Sequence, residues 1–264
     1  MIIIPPLRTR RISAKMREMP LGAAVRLAGI HPKQHEHATT EFLRAIIDSA
    51  ETPTAGHVAD PRFWTVQERT LAVCHYIAAS APNGGADFEV GEGGHLTDYM
   101  MTEADYVASA PLGEACQDNW RMVPMTGMAA ESIERVEGET PDVEPGRMHW
   151  LIGSMAAQLQ RVGTDGQPID EPAPVAEVAY DDWLKARMTV FAGFPQSDFE
   201  ALLALRARGA RELLHLFDMD AAAGGMVAYP KELEAGLPPA RFPVDECISD
   251  VAKGLAQPLQ EPNS

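Results

Sequence analysis

The chain of 264 residues contains 45% hydrophobic and 23% charged residues, which is the composition of a globular protein with a substantial core. Its formal net charge of −16 excludes a nucleic-acid backbone as partner, because that binding depends on Lys and Arg. Cys74, Cys116 and Cys247 lie far apart without a CxxC spacing, which argues against a disulfide framework and a zinc ribbon.

The hydropathy pattern points away from membranes. No apolar stretch approaches the ~20 residues that span a bilayer. In the opening "MIIIPPLRTRR" the apolar run precedes the arginines, which is the reverse of a signal peptide. We therefore expect no membrane partner, and a protein kept in a cytoplasm or packaged into a particle assembled there.

The N-terminal segment differs in charge from the rest of the chain. Residues 1–33 carry a formal charge of +6 within a chain total of −16. Opposite charges on one chain favour docking between copies or onto another protein, although a solvated basic face is the simpler alternative. We predict that this segment forms protein contacts through Ile3, Arg8, Arg10, Arg11, Lys15 and Arg17.

The first ten residues predict an extended arm. The β-branched Ile2, Ile3 and Ile4 favour a strand, and Pro5 and Pro6 prevent pairing beyond them except at a sheet edge. A short helix is then predicted in "PLGAAVRLAGI", which begins near Pro20 and stops at Gly29.

Three histidines occur in "HPKQHEH", residues 31–37. Pro32 and the apolar face of "ATTEFLRAIIDSA" indicate the start of a helix. In a helix His35 and His37 lie ~200° apart, so only His31 and His35 could share an ion. We interpret the segment as a solvated helix start. The alternative is a metal-dependent hydrolase that uses His31, His35 and acidic residues of the 87–98 loop.

The segment from Trp64 to Ser80 predicts the best-marked helix. Thr65 and Glu68 form a capping box, and the following apolar residues cover a broad surface. Cys74 and His75 are neighbours in sequence and point apart on a helix, so Cys74 is interpreted as a core residue.

Residues 83–123 are acidic and Gly-rich, and predict a turn-rich β insert. The strand candidates are "ADFEV" and "NWRMV", and Thr102 with Asp105 suggests a capped short helix. A thiol enzyme that uses Cys116 with His95 and Asp98 remains an alternative, although no nucleophile motif surrounds them.

The remaining chain is predicted to be helical. Helices are expected in "GMAAESIERVEG", "RMHWLIGSMAAQLQRVG", "DDWLKARMTVFAGFP" and "SDFEALLALRARGARELLHLFDMD", the last with a capping box from Ser197 to Glu200. The Gly, Asp and Pro residues of 164–176 indicate a linker. We predict an α+β, mainly α fold with a small antiparallel β element. Its domains are an N-terminal helical domain at 1–163 and a C-terminal helical hairpin with an irregular tail at 177–264.

One pattern occurs twice, as "MPLGAAVRLAG" and as "VPMTGMAAESIERVEG". Each follows a strand candidate and leads through a turn into a short Ala-rich helix. Pro20 and Gly22 match Pro124 and Gly127, with Thr126 extra in the second copy. These strand, turn and helix units, with "TEFLRAII", the helix from Trp64 to Ser80 and the tail "ARFPVDECISDVAKGLA", resemble tail assembly and baseplate proteins of tailed bacteriophages.

This resemblance implies a non-enzymatic protein without a cofactor or metal. Its partners would be other phage tail proteins and possibly copies of itself. It would act either as a component of the tail or baseplate, located in the virion tail, or as a tail assembly chaperone in the host cytoplasm. The usual tail chaperones are shorter and come as a frameshifted pair, which this chain does not match in length.

Overall fold

Helices and small antiparallel sheets alternate along the chain, as the computed structural model shows for residues 2–52, 56–58, 60–80, 85, 87–90, 93–101, 105–232, 236–242 and 244–256. The helices are α1 (Leu21–Ala28), α2 (His35–Ile46), α3 (Val66–Ser80), α4 (Leu96–Tyr99), α5 (Gly127–Arg135), α6 (Arg147–Gln158), α7 (Glu177–Ala192), α8 (Gln196–Glu212) and α9 (Asp250–Ala256). With 46% helix and 20% strand, the α+β, mainly α class is confirmed.

The strands form four small antiparallel sheets within the described residues. The first contains β1 (Leu7–Arg8), β2 (Ser13–Met16), β3 (Ile47–Thr52) and β4 (Gly56–His57) in sequence order. Another contains β7 (Ala110–Ala115), β8 (Asp118–Met122) and β9 (Leu159–Val162). Two hairpins complete the set, β5 (Glu89–Val90) with β6 (Gly94–His95), and β10 (Asp218–Ala222) with β11 (Gly225–Tyr229).

One supersecondary unit occurs twice. A strand pair leads into two helices, and a third strand returns to pair antiparallel with the second strand. The first unit is 7–52 (β1, β2, α1, α2, β3), and the second unit is 110–162 (β7, β8, α5, α6, β9). Each second strand ends in a methionine that pairs with the first residue of the third strand: Met16 with Ile47, and Met122 with Leu159.

The repeat that the sequence suggested is real, but its register is different. Pro20 and Thr126 are the equivalent residues, because each is the N-cap of the first helix in its unit. The sequence match of Pro20 with Pro124 is therefore wrong by two residues. With the helix starts aligned, the buried Ala23, Ala24 and Leu27 of α1 correspond to the buried Ala129, Ala130 and Ile133 of α5.

The second helix of each unit, α2 or α6, ends earlier than predicted, because the residues after it form a strand. The helices expected through Ile47 and through Val162 stop at Ile46 and Gln158, and β3 and β9 follow without a loop. The same hydrogen bond closes each helix against the second strand of its unit. The amide of Arg17 donates to Ile46 O at 2.8 Å, and the amide of Val123 donates to Gln158 O at 2.9 Å.

The N-terminal strand is displaced from its predicted position. Ile2, Ile3 and Ile4 are not in a strand, and β1 begins after the two prolines. The segment packs on its own chain, because Ile4 and Leu7 are buried with α1, α2 and α3 in one apolar cluster. The carbonyl of Pro5 is also in hydrogen-bond contact with His75 Nε2 at 2.7 Å.

Two main apolar clusters hold the fold. The first joins the first unit and α3 to Val244, Ile248 and Ala252 of the C-terminal segment. The second joins the second unit to α7 and α8, with Trp150 and Leu184 among its buried residues. Residues on both sides of the predicted linker 164–176 thus pack in the same cluster. The division into two domains at this segment stays a prediction.

The structure tests the predicted helix caps and strands. The capping box of α3 is confirmed, because the Thr65 amide donates to Glu68 Oε2 at 2.8 Å and the Glu68 amide to Thr65 Oγ1 at 3.2 Å. The capping box of α8 is wrong, since the N-cap is Pro195 and Ser197 lies inside the helix. Strands β5 and β8 confirm the strand candidates in part, and β7 was missed. The predicted cap Thr102 lies outside the described residues.

Candidate functional site

The predicted protein-contact residues lie on the first sheet and the segment before it. Alternate residues of β1 and β2 point to opposite faces, so Leu7 and Ala14 are buried while Arg8 and Lys15 are exposed. Arg17 follows β2 and is also exposed, with its Nε donating to Ala45 O at 3.1 Å. Within the described part of the chain, none of these three cations forms an ion pair. They make a basic face.

Arg11 does not belong to this basic face. Its Nε donates to Glu68 Oε1 at 2.7 Å and its Nη2 to Glu68 Oε2 at 2.5 Å, and the guanidinium lies 4.9 Å from the ring centre of Tyr106. The bond to Glu68 raises the pKa of Arg11. Arg11 therefore fixes the β1–β2 turn to α3, and its role as a protein contact stays a prediction.

The other two predicted contact residues are accessible. Arg10 pairs with Asp105 on the surface, where solvent weakens the attraction. Ile3 is 86% exposed, and Ile4 beside it is buried. Ile3 therefore presents an apolar side chain to solvent, and the amide of Ile2 before it donates to Glu18 Oε2 at 3.1 Å.

A second exposed surface, which the sequence did not predict, lies along α6, α7 and the start of α8. Two grooves of about 780 and 580 Å³ adjoin there and share Phe191 and Phe194. Trp183 lines the larger groove, and Met148 and Phe199 line the smaller one. Their aromatic and apolar walls suit a protein segment. We call this surface the aromatic groove.

The aromatic groove contains a fixed network of charges. The guanidinium of Arg187 donates to the carbonyls of Ala156 and Leu159, and lies 5.1 Å from the ring centre of Trp183. Asp170, from the predicted linker, accepts from Arg161 and lies 3.3 Å from Arg187 Nη1. These bonds lower the pKa of Asp170 although burial opposes them. The arrangement holds the groove walls in place.

A buried polar junction lies where α2 and α3 of the first half meet α5. Oε1 and Oε2 of Glu134 accept from the amides of Glu36 and His37 at 2.8 and 3.0 Å, so this carboxylate caps the N-terminus of α2. Glu131 accepts from Thr40 Oγ1 at 2.6 Å and contacts His37 Nδ1 at 3.2 Å. The junction thereby ties the second unit to the first.

The buried positive charge at this junction belongs to Arg69 of α3. Its Nη2 donates to Glu36 O at 2.7 Å and Thr40 Oγ1 at 3.0 Å, and its Nη1 lies 3.6 Å from Glu36 Oε2. Burial lowers the pKa of Arg69, while nearby carboxylates oppose the change. Burial raises the pKa of Glu134 to about 7, with Glu36 and Glu131 adding to it against the two amide bonds. These groups bond to one another, and this arrangement favours a structural role.

The histidine segment is a helix start, as predicted, but it is not simply solvated. The helix begins at His35 with Gln34 as N-cap, so Pro32 precedes it and is not its first residue. His37 points toward Glu131, away from His31 and His35, which both line a cavity of about 310 Å³. In the part of the chain that the structure describes, no three His, Cys, Asp or Glu side chains converge to hold a metal ion.

The residues of the two enzyme alternatives have separate partners. Asp87 accepts from Thr97, and Asp98 accepts from the amide of His95, so these two acids bond within the loop. Cys116 Sγ donates to the carbonyl of Asp198 at 3.5 Å, and burial raises the pKa of Cys116, whereas an activated thiolate requires a lowered one. Cys74 is buried, as predicted for a core residue, and its pKa is raised by burial.

Comparison with protein-family models, curated proteins and solved structures gave no match to this chain. In the described residues, no helix has the length and apolar character needed to span a membrane.

Proposed function

We propose that this chain is a non-enzymatic tail protein of a tailed bacteriophage, which acts by binding other tail proteins as a baseplate component or as a tail assembly chaperone. The sequence resemblance supplies the phage assignment. The observation that carries the binding role is the basic face of Arg8, Lys15 and Arg17, whose cations have no ion-pair partner among the described residues.

The charge distribution supports this role. A basic face on a chain of net charge −16 attracts an acidic surface of a partner, or of another copy, and opposite potentials align the two before contact. The aromatic groove adds an apolar surface on the other half of the chain, and exposed apolar patches of this kind mark protein contacts. One chain therefore carries two binding surfaces of different chemistry.

The test is co-expression of the full chain with the products of the genes that flank its own, followed by measurement of complex formation. We expect at least one stable complex, whose affinity falls as NaCl rises from 50 to 300 mM because exposed charges are screened. A flanking gene that encodes a tape-measure protein would place the chain in a tail assembly cluster.

A charge-reversal variant locates the contact. Arg8→Glu, Lys15→Glu and Arg17→Glu together should weaken the complex at least tenfold. The matched control, Arg208→Glu, Arg211→Glu and Lys231→Glu, changes the net charge equally at exposed positions elsewhere and should bind as the natural chain does. Equal loss in both variants would reject the basic face as the contact. Failure to bind any flanking product, in a chain that also stays monomeric, would reject the proposed function.

A further inference from the structure

The cavity beside His31 and His35 is formed by three separate parts of the chain. The turn between α1 and α2 and the first turn of α2 supply one wall, Met226 of β11 contributes, and residues 241–242 and 244–253 supply the opposite wall. Leu27, Ile30 and Ile248 give it an apolar lining. Its volume of about 310 Å³ lies at the lower end of the range for small-molecule pockets. Such a space fits a compact ligand with an apolar part.

The charged groups of the cavity do not balance. Arg241 and Lys253 are the cations, and Glu36 and Asp245 are the carboxylates. Glu36 is already engaged, because its Oε1 accepts from the amide of Met226 at 3.1 Å and its Oε2 faces Arg69 of the buried junction. Burial and the neighbouring Arg241 lower the pKa of His35, while Glu36 and Asp245 oppose the change. Lys253 also lies near Glu246, so Arg241 is the cation whose charge is left in excess in the described part of the cavity.

Arg241 is held in place with part of its bonding capacity unused. Its Nη2 donates to the carbonyl of Ala223 at 2.6 Å, at the tight β10–β11 turn where Gly224 has a positive φ of 82°. Its Nε is buried and has no acceptor among the described residues, and no carboxylate there lies within ion-pair distance. A buried donor without an acceptor costs about 1–3 kcal/mol. Nε of Arg69 and of Arg206 is in the same state, and Arg241 differs from Arg69 because it lines this cavity, where an acceptor supplied from outside has room.

We propose that this cavity binds a carboxylate group attached to a small apolar body, with Arg241 and Lys253 pairing to the carboxylate and the apolar wall covering the rest. The ligand is either a free organic acid or the C-terminus of a peptide. A single excess positive charge matches a monoanion better than a phosphate dianion. This proposal does not depend on the proposed tail function.

The probes are isovalerate, its neutral analogue isovaleramide, and inorganic phosphate, each titrated into the full chain. Binding is followed by the NMR signals of the His31 and His35 rings, assigned with the His31→Gln and His35→Gln variants. Isovalerate should give saturable shifts at both histidines and raise the pKa of His35, because an anion beside it stabilises the imidazolium. The amide and phosphate should bind at least tenfold more weakly.

Variants test the assigned contacts. Arg241→Gln should reduce isovalerate affinity at least tenfold, and the matched control Arg208→Gln, at an exposed position of α8, should not change it. If Arg241→Gln does not fold, Lys253→Gln on α9 serves, with an expected loss of about threefold or more. Equal affinity in the folded variants and the natural chain would overturn the proposal, as would tighter binding of phosphate.

A peptide distinguishes the two sources of the carboxylate. A pentapeptide that ends in a leucine carboxylate is compared with its C-terminal amide. Binding of the acid form at least tenfold tighter than isovalerate, with no binding of the amide form, would support the proposal and identify a chain terminus as the ligand. Equal binding of isovalerate and the acid peptide would support it and identify a free acid. Absence of saturable histidine shifts with either probe at 10 mM would overturn it.

Discussion

The two repeated units share a backbone plan, but their first helices have opposite environments. In α1 one face is buried, while Leu21 is 55% exposed and Arg26 faces solvent. In α5 every residue from Gly127 to Ile133 is buried, because α2, α3, α6 and α7 surround it. The comparison shows that a local strand, turn and helix pattern fixes the backbone of the unit but leaves the degree of burial to its neighbours.

The residues that differ between α1 and α5 correspond to this difference in burial. With the helix starts aligned, Val25 and Ala28 of α1 correspond to Glu131 and Glu134 of α5. In α5 these carboxylates bind the amides of α2, Thr40 and His37. Two half-buried apolar positions in one unit have thus become polar contacts between helices in the other. We expect mutations around α5 to cost more stability than mutations at the matching positions of α1.

The largest effect is expected at Arg69, the buried cation of the junction. Arg69→Met removes the charge at similar volume and leaves Glu36 without its partner, so the free energy of unfolding should fall by about 3–5 kcal/mol. The measurement is equilibrium urea unfolding. Lys15→Met on the exposed face of β2 is the control and should change stability by less than ~0.5 kcal/mol. Equal effects would mean that the junction contributes no more than a surface charge.

The next effect compares Gly127 with the matching Leu21. A Cβ at Gly127 would overlap Arg69 Nη1 and lie 2.8 Å from its Cδ, and Arg69 is fully buried. Gly127→Ala should therefore destabilise the chain by up to about 3 kcal/mol, despite the higher helix propensity of Ala. Leu21→Ala, at an exposed position, should cost less than ~0.5 kcal/mol. Stabilisation by Gly127→Ala would contradict the packing described for α5.

The second unit should also make the stability of the chain depend on pH. The pKa of Glu134 is raised to about 7 in the folded chain from an ordinary 4.5, so the folded state binds this proton more tightly. Stability should therefore be highest below pH 4.5 as far as this group is concerned, and fall by about 2 kcal/mol as pH rises through 7. Glu134→Gln should remove that fall in urea unfolding from pH 5 to 8. Glu114→Gln, at an exposed position of β7, should retain it.

The smallest effect is expected at Ser132, which matches the exposed Arg26. Ser132 is buried and its hydroxyl donates to Asp181 Oδ1 at 2.5 Å. Ser132→Ala removes a bond to a charged acceptor, so stability should fall by about 1–2 kcal/mol. Arg135 also pairs with Asp181 and limits the loss. Arg26→Ala should change the thermal midpoint by no more than ~2 °C, and a larger change there would weaken the contrast between α1 and α5.

The sequence predicted those features that depend on contacts between near neighbours. The start of α2, the capping box of α3, the buried Cys74 and the twofold occurrence of a strand, turn and helix all follow from residues a few positions apart. Of the predicted contact residues, Arg8, Lys15 and Arg17 are exposed, and their role in protein contact stays a prediction. Arg11 was not distinguishable from them, because its partner Glu68 is distant in sequence.

Tertiary structure decided everything that required distant segments to meet. No local signal shows that Glu131 is buried and Glu134 half-buried, because the helical period places them on a polar face that is covered only when α2 packs on it. The aromatic groove and the cavity of Arg241 arise in the same way, from segments separated by long stretches of chain. Local chemistry sets the elements at short range, whereas burial and charge pairing depend on the whole arrangement.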